Sequence, residues 1–240
     1  MDTVSEGNLP GPQMTSPTQG HFPKGNMMEP GRLSVVVLGV LFEGSLAGLA
    51  WMLGWLVGQS PVESLRAEPR SALVGVAATV PLLFFFLGCV RSTIGPLARI
   101  REFFKEVLRP IFAQSTLLDF AFISVAAGVG EEMLFRGVIQ PALARWTGIA
   151  ASVALTSALF GLLHPITPTY VVIAGAMGAY LGLAFVATGN LLVVVVAHAV
   201  YDFVALVILL RTDLATPLVP TEGHADPPGQ ETGHDSSPAA

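Results

Sequence analysis

Apolar residues in this chain fall in long blocks rather than in the alternation of a strand or the narrow stripe of a surface helix. Six segments carry them: Leu33–Val57, Ser71–Val90, Leu117–Trp146, Ile149–His164, Thr169–Ala187 and Leu191–Leu210. A hydrocarbon layer about 30 Å thick takes roughly 20 apolar residues at about 1.5 Å of rise each, so each segment reads as a candidate membrane-crossing helix. The third is long and contains charges of its own, and it predicts a span followed by an interfacial turn near Pro141. Between the second and third, Arg91–Gln114 sets Arg99, Arg101, Lys105 and Arg109 against Ile100, Phe103, Phe104, Val107 and Leu108. That is the pattern of an amphipathic helix lying on a membrane surface, with a solvated connector as the plainer alternative. The expected fold is all-α: a polytopic transmembrane helical bundle of about six spans. Its parts are a leader over residues 1–32, two spans and the amphipathic segment over 33–116, a four-helix core over 117–210 and a tail over 211–240. The glycine pairs Gly44/Gly48, Gly54/Gly58 and Gly178/Gly182 have a spacing that lets helices approach closely in lipid.

Composition narrows the class. Charged residues make up 12% of the 240, against about 25% in a typical soluble domain, and the mean hydropathy is +0.65. An ordinary soluble globule is excluded on those grounds. A nucleic-acid partner is excluded as well, because the formal charge is −5 and no extended basic face is visible. The negative charge belongs to the end of the chain, where Asp213, Glu222, Asp226, Glu231 and Asp235 are matched by no Lys or Arg. Both ends are rich in Pro and Gly, and the first 30 residues lack the apolar core of a secretory signal, so a disordered leader and a disordered acidic tail are expected. Cys89 is the one cysteine, which rules out an intrachain disulfide framework and a CxxC metal site. With six spans, one face receives Lys24, Arg32, the five bases of 91–109 and Arg211, while the other receives Arg66, Arg70, Arg145 and Arg136. This asymmetry predicts that both termini are cytoplasmic.

Ionisable groups inside spans are costly and usually face the interior of a bundle for a reason. The third span holds Glu131, Glu132 and Arg136. Glu132 and Arg136 lie four apart in the favourable acid-before-base order and read as an ion pair. Glu131 points about 100° away, has no partner on its own helix, and should face a polar group on another. His164 closes the fourth span before Pro165, and the sixth carries His198 and Asp202 four apart. Taken singly, these are an interfacial histidine and a helix-local His–Asp contact. Taken together they share a depth: about 1.5 Å per residue puts Glu131 roughly 15–22 Å from one membrane face, His164 20–24, His198 11–14 and Asp202 17–20. One common pocket is therefore expected. In it Glu131 is a candidate general base for water. His164 and His198 are candidates to orient that water, to donate to an oxyanion or to bind a metal, and Asp202 is a candidate to fix a histidine tautomer.

Three motifs in this order, Glu131-Glu132-x-x-x-Arg136, Phe160-x-x-x-His164 and His198-x-x-x-Asp202, resemble those of the CAAX-processing and bacteriocin-processing membrane endopeptidases, the Abi or Rce1-like family. The resemblance covers residues 117–210. It implies an α-helical intramembrane protease that cleaves a peptide bond near the C-terminus of a membrane-associated protein or peptide, in an integral, multi-pass protein of the bacterial inner membrane. It further implies that Glu131 activates water, His164 assists, and His198 with Asp202 stabilises the oxyanion, with Glu132, Arg136 and Phe160 in support. Family members have been described both as metallopeptidases, with a divalent metal such as zinc, and as metal-free glutamate-dependent enzymes, and the motifs allow either. Prenyl-processing members often carry Asn at the last position. Asp202 donates to an oxyanion only when protonated, and otherwise serves to orient His198.

Other classes are weighed by the same residues. No His-Glu-x-x-His and no Gly-x-Ser-x-Gly occurs, which removes zincin-type and elbow-serine sites. Gly128-Val-Gly130-Glu131 and Tyr201-Asp202 echo presenilin-like motifs only in reversed order and with Glu for one Asp. The rival from another class is a non-catalytic immunity or scaffold protein, or a small transporter that uses the buried polar cluster as an ion site. A transporter usually shows paired repeats and helix breaks in both halves, which this chain does not. Glu43 in the first span and Asp119 at the start of the third are unassigned. Glu43 is most simply a helix-facing hydrogen-bonding group, with substrate gating as the alternative.

Overall fold

The structure is a computed structural model and describes residues 31–211. The expected leader and acidic tail fall almost entirely outside the described residues. Helix α1 runs Arg32–Val57 and α2 runs Pro69–Arg91. A short group follows, made of α3 (Gly95–Phe103), a π-helical turn at Phe104–Leu108 and α4 (Arg109–Ile111). Then come α5 (Leu117–Glu132), a π-helical stretch Met133–Ile139, α6 (Gln140–Thr147), α7 (Ile149–Leu162), α8 (Pro168–Thr188) and α9 (Leu191–Arg211). The described residues contain no strand. Helices α1, α2, α8 and α9 are each long and apolar enough to cross a membrane, with mean hydropathy from 2.0 to 2.5 in their most apolar windows. The outward faces are apolar too: Leu38, Leu41, Phe42, Trp51 and Trp55 on α1 and Leu73 and Phe84 on α2 are exposed. A soluble protein seldom shows so continuous an apolar surface, whereas lipid demands one. This is an integral membrane protein.

Local sequence sets the ends of the helices. Thr116 and Asp119 form a capping box on α5, each side chain reaching the other's backbone N–H. Asp119 also takes a two-pronged bond from Arg32, Nε to Oδ2 at 2.6 Å and Nη2 to Oδ1 at 3.0 Å, which fastens the start of α1 to the start of α5. Gly58 and Gly189 adopt the left-handed conformation that closes α1 and α8. Asn190 clamps the 58–68 connection to α9: its side chain accepts from Arg66 N at 3.0 Å and donates to Arg66 O at 3.1 Å and Ser71 Oγ at 2.8 Å.

The third span departs from the sequence expectation. No turn occurs at Pro141; the rod continues through it as α6 and bends only at Gly148 (φ 80°). Pro141 lies in the first turn after the π-helical stretch, where a missing N–H is tolerated. Helix α7, with 14 residues, rises about 21 Å, short of a full bilayer crossing. Arg101, expected on the polar face of an amphipathic helix, is buried instead, its Nη1 donating to Ser92 O at 2.5 Å.

Helix α9 occupies the centre, packed against α2 and α5, while α1 leans on α5, and α7 pairs with α8. Glycines make these approaches close. A Cβ at Gly75 or Gly128 would meet the α9 backbone, one at Gly161 the backbone of α8, and one at Gly130 the main-chain carbonyl of Glu43. Of the glycine pairs singled out by spacing, Gly178 and Gly182 do pack, on Phe160 and Gln140, and Gly54 faces the following turn. Gly44 and Gly48 have open space beside them, because that face of α1 meets no other helix.

Candidate active site

The acids of α5 sit at its last turn, just where the helix widens into the π-helical stretch, a distortion that often marks functional positions. Glu132 is 0% exposed, and its Oε1 accepts from Arg136 Nη1 at 2.8 Å. The same oxygen lies 2.7 Å from Nδ1 of His198 on α9. The helix-local ion pair read from the sequence is thus present, and it has a third member from another helix. Arg136, also 0% exposed, donates through Nη2 to Gly178 O on α8 at 2.7 Å and stacks its guanidinium 5.1 Å from the Phe160 ring centroid. One buried cation therefore ties α5, α8 and the Phe160 ring of α7 together. Removing Arg136 would leave the buried Glu132 carboxylate with only His198, and removing Glu132 would leave the buried guanidinium with only a main-chain carbonyl, so losing either is costly.

Glu131 faces the other way, as its 100° offset requires. Its Oε1 is 3.7 Å from His164 Nε2, and its Oε2 is 3.9 Å from His198 Nε2. These separations are too long for direct hydrogen bonds but allow one water to bond to two of the atoms at once. Oε2 is buried and has no hydrogen-bond partner among the described residues. His164 leaves α7 at its C-terminal turn before Pro165, and its Nδ1 donates to Phe160 O at 2.7 Å, which turns Nε2 towards Glu131. Phe160 stacks on the His164 ring at 4.6 Å between centroids and presents itself to the His198 ring at 6.0 Å. One aromatic ring thus fixes the planes of both imidazoles. Asp202, one turn beyond His198, places Oδ2 3.4 Å from His198 Nε2. Glu132 holds Nδ1, a connection that motif spacing alone did not reveal.

These groups line a cavity of about 250 Å³. Its polar end carries Glu43, Glu131, His164, His198 and Asp202, with Tyr170 beside them. Its apolar lining comes from α2, α3, α5, α8 and α9, with Phe85, Phe86, Cys89, Leu97 and Ile100 from the first two, and Arg101 also reaches the wall. The sequence reading left Glu43, Tyr170 and Arg101 outside the site. Glu43 had a signal, being the lone acid inside the first apolar block. Tyr170 had none, because its proximity to His164 depends on how α8 packs. Among the described residues, no three His, Cys, Asp or Glu side chains converge closely enough to hold a metal ion.

Comparison with known proteins agrees with this geometry. Residues 113–204 match the family model of the type II CAAX prenyl endopeptidase Rce1-like proteins. The uncharacterized protein YpbD of Bacillus subtilis (strain 168) is 32% identical over 102 residues, which cover 40% of this chain and 48% of that protein. The match thus spans about half the length of that relative. No solved structure matches the chain. The matched stretch contains Glu131, Glu132, Arg136, Phe160, His164, His198 and Asp202. Over residues 113–204, this integral membrane protein is similar to the Rce1-like CAAX prenyl endopeptidases.

Proposed function

We propose that the protein is an intramembrane endopeptidase that hydrolyses a peptide bond near the C-terminus of a membrane-associated protein or peptide, with Glu131 as general base. The observation that carries this reading is the position of the Glu131 carboxylate. Both of its oxygens lie within 4 Å of ring nitrogens donated by two other helices, and one oxygen is buried without a partner. A water held between Glu131 Oε1 and His164 Nε2 gives a proton to Glu131 while its oxygen attacks the carbonyl carbon. His198 donates through Nδ1 to Glu132 and, when protonated on both nitrogens, through Nε2 to the oxyanion that forms. Asp202 keeps the Nε2 edge of His198 turned into the cavity until then. As the C–N bond breaks, Glu131 returns its proton to the leaving amine.

The reading runs without a metal, and activity is expected to persist after chelation with no stoichiometric metal on the purified protein. The Lys and Arg distribution supports cytoplasmic termini, and the family supports a bacterial inner membrane. The test is a mass-spectrometric comparison of membrane-protein C-termini in cells carrying the wild type or Glu131→Gln. Substrates trimmed in the first and intact in the second are expected, with equal amounts of both proteins in the membrane. Identical C-termini in the two would overturn the assignment and favour a non-catalytic role.

A further inference from the structure

Helix α1 lies outside the stretch shared with the family, yet it sends one carboxyl group into the cavity. Glu43 lines the same hollow as Glu131, His164, His198 and Asp202, which come from α5, α9 and the segment after α7. Its Oε2 is buried and accepts no hydrogen bond from the described residues. The placement is built in. Gly130 has no side chain, and the main-chain carbonyl of Glu43 sits where a Cβ would be, so α1 crosses α5 at the residue next to Glu131. Glu131 contributes a second buried oxygen without a partner, Oε2, to the same space.

An unpartnered buried acceptor is costly, and the imidazoles nearby do not relieve it: each has Nδ1 bound elsewhere, His164 to Phe160 O and His198 to Glu132. A substrate that enters can supply the donor and displace any water there. A peptide drawn into this site in extended form brings main-chain N–H groups that have lost water and, away from a helix, have lost their internal partners too. We infer that Glu43 is a substrate-binding residue whose carboxylate accepts a hydrogen bond from a main-chain N–H of the substrate peptide beside the scissile bond. This rests on the peptidase reading and adds to it a contact from a helix outside the shared motifs. It also assigns the substrate a conformation: extended across the site, with an unpaired N–H facing α1.

The test uses the full-length protein and a synthetic peptide spanning a cleavage site found by comparing membrane-protein C-termini in cells with and without the protein, made with single N-methyl substitutions at successive bonds around that site. Glu43→Leu is expected to raise KM about 10- to 100-fold with little change in kcat, the pattern for a hydrogen bond to a charged group made equally in ground and transition states. Glu43→Gln, which keeps an acceptor oxygen, should recover most of the loss, showing that the effect is not misfolding. One N-methyl position should weaken the wild type by a similar factor and weaken Glu43→Leu no further. If Glu43→Leu cleaves like the wild type, or if every N-methyl peptide loses the same factor in both proteins, the contact does not exist. A fully active Glu131→Gln would instead sink the base assignment while leaving the Glu43 coupling readable.

Discussion

Arg136 shows how much one side chain can hold together in lipid. Its two terminal nitrogens serve different helices, Nη1 to Glu132 on α5 and Nη2 to Gly178 O on α8, and neither residue has any exposure to water. Arg136→Ala is expected to destabilise the protein by about 3–5 kcal/mol, since it removes the charge partner of a buried carboxylate and leaves it with His198 alone. Arg136→Lys should rescue little, because an ammonium cannot span both acceptors as a planar fork does. Thermal unfolding in detergent, together with the level in the membrane, checks both, and unfolding of either variant at the wild-type temperature would contradict the argument. The Glu132–Arg136 pair was legible in the sequence because a helix places residues four apart on one face. The bond from Glu132 to His198 was not, because 66 residues separate them and no periodicity encodes which helices become neighbours.

At the level of elements, the apolar blocks located the long helices well but not their interruptions. The π-helical stretch after Glu132 has no composition signal, and Pro141 suggested a turn that the widened helix absorbs. Asp119 was visible as an acid at the start of a span. Its task became clear only with both partners in view: it caps α5 through Thr116 and holds Arg32 of α1. Asp119→Ala is expected to destabilise the protein modestly, mostly through the lost cap, because the Arg32 side chain is half exposed and an exposed ion pair adds little. Unfolding should begin a few degrees earlier while cleavage of a natural substrate stays near normal. A loss of activity at unchanged stability would mean that the clasp does more than fasten two helix ends.

Across the whole molecule, motif order and the all-helical class were readable from the chain, the count of full spans was not, and Glu131, Phe160, His164, His198 and Asp202 do meet in one hollow. The walls of that hollow were not readable. Little more than a quarter of their residues come from α2 and α3, which carry no motif, and the acid at Glu43 comes from α1, which the family match does not reach. The wall contributed by α2 includes Cys89, and the sequence holds no other sulfhydryl. A nitroxide or environment-sensitive dye attached there needs no engineered background. Its signal would report, in the native protein and in real time, when a guest arrives and when the fragments depart.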